Sequence, residues 1–190
     1  KQFFNSRVPY MVNKGQVYIN TDVPYDIYKK IPQISIPIDK IASMFSNGVF
    51  MLERVSDGSK DVLPPDLEKL LNNPNVLQSQ NAWMNQYIKQ YLVYGNQYIK
   101  KNQVSTLSKY PSSLMNISPA YMTPVLTGKV FDQVSIDGII KYFEYDENGS
   151  VKQFKTNEVL YSKIGDLDNP IIGFSPLLSL EFPISNTELA

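Results

Sequence analysis

Apolar positions along the chain change character near residue 100, from helical spacing before it to short strand-favouring runs punctuated by proline and glycine after it. The first thirty residues, with Pro9 and Pro24 among scattered polar positions, have weak periodicity and read as an extended arm with short pieces of structure. From IPIDKIASMF onward, Ile38, Ile41, Met44 and Phe45 recur at helical spacing, and Ser46, Asn47 and Gly48 supply the turn that ends such a helix. VFMLERV, residues 49–55, is dense in strand formers and closes on the turn SDGS. The strongest helical pattern spans about 76–94, with Asn75 as its cap and Trp83, Tyr87 and Tyr91 at i, i+4 and i+8 on an inward face. At about 20 residues it would be about 30 Å long. Asn81, Asn85, Gln86, Lys89 and Gln90 give it a polar flank for water or a partner. Gly95, which tolerates a left-handed backbone, closes this helix next to Asn96, and the chain passes into the extended segment QYIKKNQV.

Beyond residue 100, the prolines of LMNISPAYMTPVL argue against a central strand or a helix interior there. A hairpin over 139–145 and 150–155 turns at DENG, NEVLYSKI supplies another strand, and NPIIGFSPLLSL leads into the start of a new helix. The fold class is α+β. Residues 1–70 hold the arm, short helix and strand, and residues 71–190 the long helix, β-rich module and following helix start, in one continuous domain.

Composition removes most chemistries. The chain of 190 residues has no histidine and no cysteine, which excludes imidazole-dependent triads, thiolate zinc sites and disulfides. Lys+Arg and Asp+Glu both number 18, and Arg7 and Arg54 are the only arginines, so sequence-specific base reading is not expected. The 13 tyrosines and 9 phenylalanines are not interleaved with basic residues as a single-strand binder requires. The acidic pairs Asp146–Glu147 and Asp166–Asp168 read as a solvated turn and a loop rather than catalytic or metal sites. Ser175 in GFSPL lacks a second glycine and an activating histidine, and no glycine loop precedes a Lys-Ser/Thr pair, so neither a serine hydrolase nor an ATPase is expected. No run of 18 to 20 apolar residues is present, and the chain reads as soluble and unsecreted. It opens on Lys1 and ends on ISNTELA, which reads as part of something longer.

In order, NPNVLQSQNAWMNQYIKQYLVYGNQYI, LMNISPAYMTPV, IIKYFEYDENGSVKQFKTNEVLYSKI and GFSPLLSL resemble the portal proteins of tailed bacteriophages over about residues 72–180. IPIDKIASMF and VFMLERV resemble the helix and strand before them in that family, a wing-like part. Gly173, Ser175, Pro176 and Leu177 match its Gly-x-Ser-Pro-Leu motif. Many relatives carry histidine where Tyr161 stands, so no imidazole role carries over. The family's continuation beyond that motif, with its long helix and crown, does not follow in the residues to Ala190, and the chain resembles an N-terminal portion or a shortened relative.

The resemblance implies a structural subunit rather than an enzyme, without cofactor or metal. It implies a homo-oligomeric ring, usually a dodecamer, at one capsid vertex. Double-stranded DNA passes through its channel without sequence specificity during packaging and ejection, and the ring docks terminase, capsid and head–tail connector proteins. Localisation is then the virion, with assembly in the host cytoplasm and no membrane partner. On this reading Gly95 and Asn96 are a structural hinge, while Asn81, Asn85, Lys89 and the hairpin residues Tyr142 and Glu144 lie nearer a neighbouring subunit. The alternative is another virion or tail-associated interaction protein with no conduit role. A metal-dependent enzyme using Asp and Glu alone comes last.

Overall fold

A computed structural model describes residues 10–13, 16–19, 21–103, 109–127, 135–147, 149–166 and 171–180. The elements are β1 (Tyr10–Asn13), β2 (Gln16–Ile19), α1 (Asp22–Lys30), α2 (Pro32–Ser46), β3 (Leu52–Glu53), β4 (Lys60–Asp61), α3 (Pro65–Asn72), α4 (Gln80–Tyr94), β5 (Asn96–Asn102), β6 (Ser113–Ile117), β7 (Met122–Leu126), α5 (Ile136–Ile139), β8 (Ile140–Glu147), β9 (Ser150–Phe154) and β10 (Val159–Lys163). The fold is α+β, with an antiparallel five-stranded sheet β1-β2-β7-β8-β9, a three-stranded sheet β10-β5-β6 and the small hairpin β3-β4.

Three layers follow from alternation along β5. Tyr98 points to one face, where it meets Met122, Ile140, Phe143 and Val159 between the two larger sheets. Ile99 points to the other, where it packs with Leu114, Leu70 and Trp83 beneath the helices. The three-stranded sheet is thus covered on both sides, which is why Asn96, Gln97, Tyr98 and Ile99 are buried at four consecutive positions rather than at alternate ones. A third cluster joins Ile27 of α1, Ile38 of α2, Val93 and Tyr94 of α4 and Leu177.

The first thirty residues hold more structure than an arm. β1 and β2 form a hairpin, and α1 has Asp22 in its first turn and Lys29 and Lys30 in its last, each sign suited to the helix dipole. Ile31 precedes Pro32, and the proline drives it to extended geometry (φ −115°, ψ 99°), which breaks the chain between α1 and α2. The helix marked by Ile38, Ile41, Met44 and Phe45 is present, and its buried stripe is Ile38, Ala42 and Ser46. Ile41, Met44 and Phe45 are 40%, 66% and 62% exposed. The small Ala42, wholly buried, sits within that stripe where α2 lies antiparallel on α4.

That packing also changes the reading of α4. Part of its polar flank is tied to α2, with Asn81 Nδ2 donating to Ser46 O at 3.1 Å and Asn47 Oδ1 at 2.7 Å, and Lys89 paired with Asp39 at 2.9 Å. The cap is Ser79, whose Oγ accepts from Ala82 N at 3.5 Å, and not Asn75. Leu114 N donates to Pro74 O at 2.7 Å and Asn75 Nδ2 to Leu114 O at 3.0 Å, so residues 74–75 are bound to β6 and the helix starts only after them. The helix has 15 residues, not about 20.

Other boundaries shift for local reasons. The strand expected over 49–55 pairs only at Leu52 and Glu53. Pro124 stands inside β7, the third strand of five, against the expectation that proline keeps out of a central strand. It is tolerated because, among the described residues, β2 pairs with β7 only at Gln16↔Val125. The hairpin β8-β9 and strand β10 fall where the pattern places them, with Gly149 at φ 81° in the turn. The expected helix start after GFSPL is a 3₁₀ segment, Pro176–Leu180.

Phe143 is 2% exposed at the centre of the inter-sheet cluster. Phe143→Ala is expected to cost about 3–5 kcal/mol, read as a lower urea midpoint at unchanged slope.

Candidate functional site

Two motifs distant in sequence, Gly95-Asn96 and Gly173-Phe-Ser175, meet backbone to backbone. α4 ends at Gly95 with φ 70°, a left-handed geometry, and the Gly95 N–H donates to Tyr91 O at 2.9 Å. A Cβ on Gly95 would lie 2.2 Å from Phe174 O, and one on Gly173 would lie 2.0 Å from Gly95 O. Neither position has room for a side chain, because the obstructing atoms are main chain.

Asn96 joins the same two segments through its carboxamide. Nδ2 donates to Gly173 O at 2.8 Å and Tyr94 O at 3.0 Å, while Oδ1 accepts from Gly173 N at 2.8 Å and Tyr161 OH at 2.7 Å. All four hydrogen-bonding positions of the amide are used, as full burial demands, and the pair to Gly173 imitates a strand ladder. Ile164 N donates to Gly95 O at 2.8 Å, and Tyr91 OH to Lys163 O at 3.1 Å, which ties in the end of β10.

Ser175 is 1% exposed; its hydroxyl donates to Val93 O and accepts from Leu177 N at 3.2 Å. It therefore satisfies a carbonyl in the last turn of α4 and is not presented as a nucleophile. Pro176 opens the 3₁₀ segment and Leu177 is buried beside Ile27, Ile38 and Val93. The hinge assignment of Gly95 and the motif Gly173, Ser175, Pro176 and Leu177 thus converge on one buried junction. Asn96 belongs to it as a hydrogen-bonding clamp at the start of β5 and not as a turn residue. Residue type and separation gave no sign of this convergence; the one available cue was a Gly-Asn followed much later by a Gly-x-Ser.

The remaining sequence-predicted residues lie elsewhere. Asn81 and Lys89 direct their polar atoms to α2 within the chain, and Asn85 is half-buried on α4. Tyr142 and Glu144 alternate with the inward Phe143 and Tyr145, so they occupy the sheet face away from the inter-sheet core. Asp146 accepts from Gly149 N at 3.1 Å in the hairpin turn, and Glu147 accepts from Tyr145 OH. Asn148, Asp168 and Pro170 lie outside the described residues. Among the described residues no group of three or more acidic side chains is placed to hold a metal ion. Nor is any described helix long and apolar enough to cross a membrane.

Burial pushes the Tyr161 phenol well above its ordinary value of 10.0, and burial with the adjoining Tyr161 does the same to Tyr98. Both phenols are needed neutral in the fold. Their contribution is fully present below the free phenol's pKa and is lost as pH rises from there towards the raised folded value. Tyr161→Phe is expected to lower stability at neutral pH by about 1–2 kcal/mol, since Asn96 Oδ1 loses a partner, and to lessen the alkaline loss. Equilibrium unfolding at neutral pH and above pH 10.0 reads both effects. Gly173→Ala, whose Cβ would meet the Gly95 carbonyl, is expected to separate the 171–180 segment from α4. Limited proteolysis near residue 173 reports that separation.

The sequence matches no protein-family model and no curated protein. Its fold is similar to solved chains of gene transfer agent (GTA) particles. Against the neck of a native GTA particle computed with C12 symmetry, the TM-score is 0.65 at 15% identity, over 89% of this chain and 43% of that one. Against the neck of an empty GTA particle computed with C6 symmetry, it is 0.66 at 16% identity, over 90% and 46%. Against the virion of a native GTA particle, it is 0.64 at 18% identity, over 90% and 44%. The chain thus spans less than half the length of each and shares the fold of that part.

Proposed function

We propose that this chain is a structural subunit of a ring at the head–tail vertex of a tailed-phage-type particle. The observation that carries the reading is the shared fold, over nine-tenths of the chain, with neck chains of particles computed with twelvefold and sixfold symmetry. The finer reading is a portal subunit. In that role the ring forms the channel for DNA packaging and ejection and docks terminase and the head–tail connector. The ordered motifs from the α4 segment to GFSPL, which resemble portal proteins, support it.

Physical properties of the chain agree with a conduit. A channel must let a polyanion slide, and each neutralised phosphate adds counterion-release free energy that would hold the cargo. Zero net charge and two arginines keep that term small. The role is mechanical rather than catalytic, and the buried junction suits it. Main-chain contacts at Gly95 and Gly173 fix α4 against both β5 and β10, giving a stiff unit of the kind a closed ring must repeat.

Light scattering followed by electron microscopy of the purified chain tests the reading. An annulus of twelvefold or sixfold symmetry is expected, as in those necks. A species that stays monomeric at every concentration contradicts ring formation by this chain. Labelling of intact particles separates the portal role from that of another virion or tail-associated protein: density at the head–tail vertex is expected, and density elsewhere overturns it.

A further inference from the structure

The end of the helical layer where α4 begins is apolar, exposed and held in place. Met44, Phe45, Val49 and Met51 extend from the end of α2, and Val76 and Leu77, 99% and 79% exposed, stand on the turn before α4. These segments are fastened together by polar bonds. Gln80 Nε2 donates to Gly48 O at 2.9 Å, and Asn81 Nδ2 to Ser46 O at 3.1 Å. The turn itself is locked by Leu77 N donating to Asn75 Oδ1 at 2.9 Å, while Asn75 Nδ2 reaches Leu114 O. Six apolar side chains on a preorganised support differ from scattered surface hydrophobes and mark an interaction surface.

The charge pattern selects the occupant. Residues 41–52 and 70–88, which build this end, contain no charged residue. A polyanion or an anionic lipid surface finds no cation there, so the partner is a neutral protein face. The chain carries a face of balanced charge at the other end of α4, one helix length or about 22 Å away. On that face Asp22 and Asp26 of α1 offset Lys29 and Lys30, Lys30 pairs with Asp26 at 2.8 Å and Lys29 Nζ lies over the Tyr25 ring at 4.7 Å. There α1 packs on Val93 and Tyr94, and Tyr25 and Tyr121 are 41% and 44% exposed, with Tyr121 edge-on to Tyr145 at 6.2 Å. Tyrosine rings pack against apolar side chains while their hydroxyls stay wet, which makes them frequent interface residues.

We infer that the Phe45–Leu77 end of one copy docks on the Tyr25–Tyr121 end of the next, head to tail. The inference rests on the ring reading and names its contact: two different faces on each copy are what a heterologous, closing interface requires. It also moves the contact away from Asn81 and Lys89, whose polar atoms are engaged by α2.

The chain has no cysteine, so single introduced thiols report unambiguously. Phe45→Cys and Tyr121→Cys chains are mixed with a short flexible bismaleimide. Linkage between the two variants is expected, and Met44→Glu with Phe45→Glu is expected to weaken self-association at least about tenfold with an unchanged melting temperature. Linkage only between Phe45→Cys copies overturns the head-to-tail arrangement, and a monomer without linkage overturns a second copy as occupant. Annuli without linkage overturn this contact and leave the ring reading standing. Linked open filaments keep the contact and remove the closed ring.

Discussion

The structure depends on a carboxamide taking the place of a strand. Asn96, itself at zero exposure, engages both the N–H and the C=O of Gly173 while accepting from Tyr161 and donating to Tyr94. In a dry interior an unmade bond at any of these atoms would cost more than a made one contributes, so the set is all-or-none. The glycines on either side exist because this pairing brings main chain within a distance no Cβ can share. Helix end, strand start, strand end and the Ser175 segment are therefore one unit, although the motifs lie 77 residues apart.

From that unit the layers follow. Gly95 turns α4 directly into β5, so the helix lies along the sheet that it feeds, and the three-stranded sheet is enclosed between helices and the larger sheet. Tyr98 and Tyr161, stacked at 4.8 Å between centroids, fill the space beside Asn96 and shield its bonds from water. Rigidity at this corner leaves the two ends of α4 as fixed surfaces, which is what the proposed contact between copies needs.

Local chemistry was legible in the sequence and long-range partnering was not. The DENG hairpin, β10, the end of α2 and the helix stop at Gly95 all rest on residues acting within a few positions of themselves. Errors arose where a distant segment decided the outcome. Asn75 looked like a cap but is held by β6, and the helical spacing of Ile38, Ile41, Met44 and Phe45 marked a helix without saying which face α4 covers. Pro124 looked incompatible with a central strand because the pairing to β2, a single bridge among the described residues, is invisible along the chain. Of the site, the identities Gly95, Asn96, Gly173 and Ser175 were visible through resemblance, and their mutual contact was not.

Native-state hydrogen exchange at the Gly173 amide tests the central claim most directly, since that N–H has its acceptor in Asn96 Oδ1, a side chain, and lies outside any strand. If the junction opens as one unit, Gly173, Ile164 and Gly95 exchange with the same free energy as Tyr98 in the sheet core. Fast exchange at Gly173 while Tyr98 stays protected would show that the segment is merely laid against the fold, and would contradict the account.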